Sequence, residues 1–169
     1  AELCGLALEG ILLTPIDERG FGWRLRATNR EGAAEITLGL RGTWAQTLHS
    51  VNESKPVDAE KHLYPSGWNH CHVMDLRPGL SLFAFAPIYT EQPEHCPIRS
   101  QFERAGEEIH YCIERQQTLA AGETLELTVW FGLGFEEVSA ATSAKELLRQ
   151  GFAQELERTE RWLSARERT

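Results

Sequence analysis

Between Glu123 and Leu163 the hydrophobic period changes with no linker in between, and this limits what the chain can fold into. Thr124, Glu126, Thr128 and Trp130 alternate with Leu125, Leu127, Val129 and Phe131. A period of two places the second set on one face of a strand, against a core. Gly132 and Gly134 then punctuate the chain, and Glu136 to Gln150 takes up a helical rhythm. Ala140, Ala144, Leu147 and Leu148 form one apolar stripe. Beyond Gly151, Phe152, Leu156, Thr159 and Leu163 form another, with Trp162 beside them. Ser139, or Ser143 with Glu146 three residues on, is expected to cap the first helix, and Gly151 falls where it ends. The second helix is marginal alone. Its Trp162 and Leu163 therefore call for a partner surface, either the sandwich or another body.

Upstream, the signals are those of strands. Leu3 to Leu13, interrupted by Gly5 and Gly10, predicts one strand or a bent pair. Phe21 to Thr28 alternates, with Trp23, Leu25 and Ala27 facing one way and Arg24 and Arg26 the other. Asn29-Arg30-Glu31-Gly32 reads as a tight turn into Glu35 to Leu40, whose Ile36, Leu38 and Leu40 share a face. Two strands joined so closely are expected to form an antiparallel hairpin. Gly42 to Val51 reads as strand or loop, and the polar Asn52 to Tyr64 as a surface excursion. Trp68 to Leu76 reads as a strand, and the almost wholly apolar Leu80 to Pro87 as one buried on both faces. Tyr89 to Arg104, with Pro93 and Pro97, reads as a long connection. Glu107 to Thr118 returns to alternation, with Ile109, Tyr111 and Ile113 on one face. Roughly eight strands with short turns predict a mainly β chain. Its expected form is an antiparallel β-sandwich over residues 1–135 with a C-terminal helical linker over 136–169.

Composition narrows the function classes. A length of 169 residues suits one domain, and 41% hydrophobic residues with five Trp exclude a disordered chain. The net charge of −8 argues against nucleic acid and anionic membranes as partners. No apolar run reaches the roughly 18 residues of a spanning helix. Cys4, Cys71, Cys96 and Cys112 make no CxxC pair, so reduced thiols in the cytoplasm are expected. The first residue, Ala1, implies a processed, trimmed or internal start.

The order of elements carries a resemblance. Strands ending at Thr28-Asn29 are followed by Gly42-Thr43-Trp44, Gly67-Trp68-Asn69 and the apolar strand to Pro87. The chain closes on Leu127-Thr128-Val129-Trp130-Phe131-Gly132-Leu133-Gly134 and an Ala-rich helix leading to Trp162-Leu163. This order resembles the N-terminal β-sandwich (supersandwich) domain of glycoside hydrolases and phosphorylases whose catalytic part is an (α/α)6 barrel. Glucoamylases, cellobiose and maltose phosphorylases and glycogen-debranching-like enzymes are examples. The resemblance implies that Ser139 to Arg166 leads toward a barrel, in this or a companion chain, which carries the catalytic acids. It implies that this chain has no catalytic residues or cofactor of its own. An oligosaccharide and a second copy of the chain are the other partners it suggests.

Three constellations remain to be weighed. Glycoside hydrolysis needs two carboxylates about 5 to 10 Å apart. Glu107-Glu108 and Glu136-Glu137 are sequence neighbours, which on a strand point to opposite faces, so a solvated surface is the expectation. Trp44, Trp68 and Asn69 suit sugar contact, because an aromatic ring covers the apolar face of a pyranose while an amide bonds its hydroxyls. The competing reading makes both Trp core residues. His70, His72, His110 and Cys112 form two i, i+2 pairs that, on adjoining strands, would offer zinc a tetrahedral set, with His95-Cys96 nearby. The competing reading there is simple strand alternation.

Overall fold

The computed structural model describes residues 2–45, 60–66, 71–77, 84–89, 98–134 and 136–167. Among these, the strands are β1 (Glu2–Leu3), β2 (Leu6–Leu13), β3 (Gly20–Asn29), β4 (Ala34–Trp44), β5 (Glu60–Ser66), β6 (Cys71–Arg77), β7 (Ala84–Tyr89), β8 (Ile98–Ala105), β9 (Glu108–Leu119) and β10 (Thr124–Gly134). Helices α1 (Glu137–Gln150) and α2 (Phe152–Arg166) follow. The strands form a seven-stranded sheet, β1-β2-β3-β10-β7-β6-β5, and a three-stranded sheet, β4-β9-β8. Every pairing is antiparallel. The fold is an antiparallel β-sandwich with a helical C-terminal segment, as the alternation predicts.

Strand β10 lies between β3 and β7 and is covered on both faces. Leu125, Leu127, Val129 and Phe131 are buried toward the small sheet, where Ile109, Ile113 and Leu119 of β9 meet them. On the other face, Trp130 packs with Leu13 and Phe152 and with Leu147 of α1. Next to it α1 lies directly on the strand. A methyl group at Gly132 would fall on the carbonyl oxygen of Ala140, and one at Gly134 on the Ser139 hydroxyl. Ala140, Ala141 and Ala144 are fully buried, and with Cys71 and Val73 they close this layer. Small residues on both partners thus allow backbone to approach backbone, giving three layers: helix, large sheet, small sheet.

The expected hairpin between Phe21–Thr28 and Glu35–Leu40 does not form. β3 pairs with β2 and β10, whereas β4 pairs with β9 in the other sheet. Asn29 explains the crossing. Buried to 3% exposure, its amide donates to the carbonyls of Gly32 (2.9 Å) and Leu119 (3.0 Å), while its oxygen accepts from the Glu31 N–H (3.2 Å). Its own N–H and carbonyl are taken by Glu123 and Gly122, so the turn cannot close back on β3. The apolar faces of β3 and β4 consequently oppose each other across the core instead of lying side by side.

Other expectations shift as well. Leu3 to Leu13 is the bent pair, turning at Cys4 and Gly5, both at positive φ. Gly42 to Trp44 completes β4. Among the described residues ten strands replace the roughly eight expected, because Glu60–Ser66 and Ile98–Ala105 pair into the sheets. The first fell in the polar stretch read as a surface excursion, yet its Lys61 is buried. The second is an edge strand whose inward side offers only Ile98, Ser100 and Phe102, too weak an alternation to recognise. Helix α1 starts before Ser139. Glu136 is its N-cap, and Ser139 accepts the Glu136 N–H at 3.3 Å from the third helical position. Gly151, at φ 86°, ends α1 and opens α2 as expected.

The close approach of α1 to β10 predicts that Gly132→Ala costs at least about 2 kcal/mol of stability, because rigid backbone must move. Gly32→Ala, with nothing within 4 Å of the added methyl, should stay within about 0.5 kcal/mol. Urea denaturation of the two variants measures both.

Candidate functional site

The outer face of the small sheet is polar because of its register. Arg41 and Gln101 flank Cys112, and Thr43 and Glu103 flank His110. With Glu114 these residues line an open depression of about 540 Å³. Thr43 Oγ1 lies 2.9 Å from His110 Nδ1, and His110 Nε2 lies 3.2 Å from a Glu108 carboxylate oxygen. The order of hydroxyl, imidazole and carboxylate has the connectivity of a nucleophile relay. The His110 and Glu108 side chains are 42% and 49% exposed, however, so water competes for each bond and little activation is available.

Over the rim, between the sheets, Phe21, Thr43, Trp44, Ala45, Met74, Tyr111 and Phe131 line an apolar cleft of about 270 Å³. Phe21 stacks on Phe131 at 4.8 Å between centroids, and Tyr111 tilts against Phe131 at 5.8 Å. Tyr111 can lie flat on β4 because its cross-strand neighbour is Gly42, where any side chain would collide with the phenol. Burial pushes the Tyr111 hydroxyl pKa up. Behind Trp44, Lys61 Nζ donates to the Glu107 carbonyl at 2.9 Å and lies 5.9 Å from the indole centroid. The two hollows share Thr43 and Tyr111.

The residues singled out in the sequence fall as follows. Trp44 is half-buried at the cleft wall, part core and part lining. Trp68, Asn69, His70 and the His95-Cys96 pair lie outside the described residues. His72 points between the sheets, where its ring stacks on Phe102 at 4.1 Å. His110 and Cys112 share a face, as i and i+2 must, but it is the outer one, and Cys112 Sγ faces Glu114 at 3.7 Å. The small sheet therefore separates His72 from His110 and Cys112. Among the described residues no three His, Cys, Asp or Glu side chains converge as metal ligands would. Lys61, Tyr111 and the Phe21–Phe131 pair were not singled out. Tyr111 carried a signal in its alternation with Ile109 and Ile113, but Gly42 beneath it is visible only once the register is known.

No family model matches the chain, and no curated protein matches it in sequence.

Two titrations check this geometry. Burial lowers the His72 pKa from 6.5, so the unfolded chain binds the proton more readily than the folded one. The neutral ring's contribution is complete above pH 6.5 and declines as the pH falls below it. Urea midpoints should therefore drop on acidification by more in the wild type than in His72→Phe, which keeps the stacked ring; equal drops would place His72 in solvent. Burial first, then the charge of Glu137, raises the Cys71 thiol to about 11, leaving almost no thiolate at neutral pH. Iodoacetamide at about pH 8 should modify exposed Cys4 at least about tenfold faster than Cys71, as read by peptide mass.

Proposed function

We propose that this chain is a non-catalytic β-sandwich domain of a cytoplasmic carbohydrate-active enzyme, of glycoside hydrolase or phosphorylase type. It packs against an (α/α)6 catalytic barrel through the end of α2. One observation carries the reading. Phe152, Glu155 and Leu156 seat the first turns of α2 on the sandwich, and Arg158 ties it to the Ile16 carbonyl and to Glu18 and Glu155. From 160 to 167 every residue is exposed, on all sides of the helix. That stretch includes Trp162 at 38% and Leu163 at 50%. The Arg166 guanidinium lies 4.0 Å over the Trp162 ring. Exposed Trp beside Leu and Arg is the composition of a protein-binding hot spot, and water is a poor solvent for it.

Further support comes from the order of elements described above and from the architecture of antiparallel sheets handing over to a helix. Cys4, Cys71 and Cys112 are free thiols, in keeping with a reducing compartment. Among the described residues no helix is long and apolar enough to cross a membrane.

The DNA encoding this chain is expected to encode an (α/α)6 domain in the same frame or an adjacent one. Co-expressed as separate polypeptides, the two should sediment as a 1:1 complex. Trp162→Glu with Leu163→Glu should weaken that complex at least tenfold and leave the melting temperature of the free sandwich unchanged, since neither side chain belongs to the sandwich core and Trp162 meets only its own helix's Arg166 among the contacts described. A complex indifferent to both substitutions, or a barrel domain that does not bind, refutes the reading.

A further inference from the structure

We infer that the cleft between the sheets is a sugar subsite, taking one pyranose ring of a neutral oligosaccharide against Trp44, with the next residue passing over Thr43 onto the polar face. This deepens the carbohydrate reading and rests on it, but its test requires no barrel. Size limits the occupant. A dry cavity of about 150 Å³ accepts benzene. The cleft, at about 270 Å³, has room for one six-membered ring and its substituents. A nucleotide or a drug-sized ligand needs more.

Chemistry selects among rings. The walls are aromatic rings and a thioether, from Phe21, Trp44, Met74, Tyr111 and Phe131, and an aromatic lining suits the C–H face of a pyranose. Lys61 lies over the Trp44 ring and is itself held by the Glu107 carbonyl, so the indole is braced before a ligand arrives. At the rim the apolar lining gives way to hydroxyls, because Thr43 and Tyr111 border both hollows. Beyond them Arg41, Gln101, Glu103 and Glu114 supply donors and acceptors for further hydroxyl groups. A purely apolar ligand would leave that polar extension unused. An anionic one would meet a chain of net charge −8 and the carboxylates of Glu103 and Glu114. A neutral, amphipathic, repeating ring ligand fits both hollows at once.

The full chain is titrated with glucose, cellobiose and maltose, following tryptophan fluorescence and saturation-transfer NMR. At least one disaccharide should bind with a Kd on the order of 1 mM, and glucose more weakly because it fills the cleft alone. Trp44→Ala should weaken binding at least tenfold. Since Trp44 also packs in the core, Ala45→Trp provides the second variant. It blocks the mouth from an exposed position and should weaken binding equally with an unchanged melting temperature. Trp162→Glu should bind like the wild type, which separates failure of this site from failure of the docking helix. Three outcomes overturn the assignment: no response to any of the sugars, binding undiminished in Ala45→Trp, or uptake of indole that neither disaccharide displaces.

Discussion

The whole architecture depends on one strand being enclosed from both sides. β10 sends Leu125, Leu127, Val129 and Phe131 into the core of the sandwich, and its opposite face meets α1 at van der Waals distance. Each contact demands a different composition of alternate positions. The core side needs bulk, because burying each such side chain contributes about 1.5–3 kcal/mol. The helix side needs Gly132 and Gly134 opposite Ala140 and Ala144, so that strand and helix can touch. Trp130 lies where the helix pulls away, and Leu147 and Phe152 fill the widening gap. Because α1 forms one wall of this arrangement, it belongs to the body of the fold. Among the described residues, the far end of α2 is the stretch that stands clear.

The mismatch of seven strands against three follows from the corner at Asn29. A hairpin there would have put β4 beside β3 and lengthened the large sheet. The buried amide instead bonds across to Leu119 and sends the chain into the second layer. β4 and β9 then pair along eleven residues, which sets Tyr111 over Gly42 and brings Trp44 to the mouth of the space between the sheets. The cleft is thus a consequence of the same corner that divides the sheets. Its polar neighbour arises from the outward residues of the same strands.

The sequence made the strand of Thr124 to Phe131, the break at Gly151 and the facing of Ile109, Tyr111 and Ile113 legible, because each depends on local periodicity alone. It could not distinguish an arch from a hairpin. Trp23, Leu25 and Ala27 line the core together with Ile36, Leu38 and Leu40 in either case, side by side in a hairpin and opposed in an arch, and the deciding bond spans 90 residues. Lys61 misled for a related reason, since its ammonium suggested solvent while its stem lines the interior, satisfied by a distant carbonyl. The aromatic at Trp44, in a stretch read as strand or loop, was legible. The separation of His72 from His110 and Cys112 was not, because i and i+2 spacing fixes a shared face without saying which one.

Amide hydrogen exchange tests the central claim, that α1 is a structural wall of the sandwich and the end of α2 is its free extension. Amides of β10 and of α1 from Ala140 to Leu147 are expected to exchange together, in one slow cooperative unit, while residues 160–167 exchange orders of magnitude faster. If α1 instead exchanged as quickly as the end of α2 while β10 stayed protected, the helix would be an appendage and the account would be contradicted.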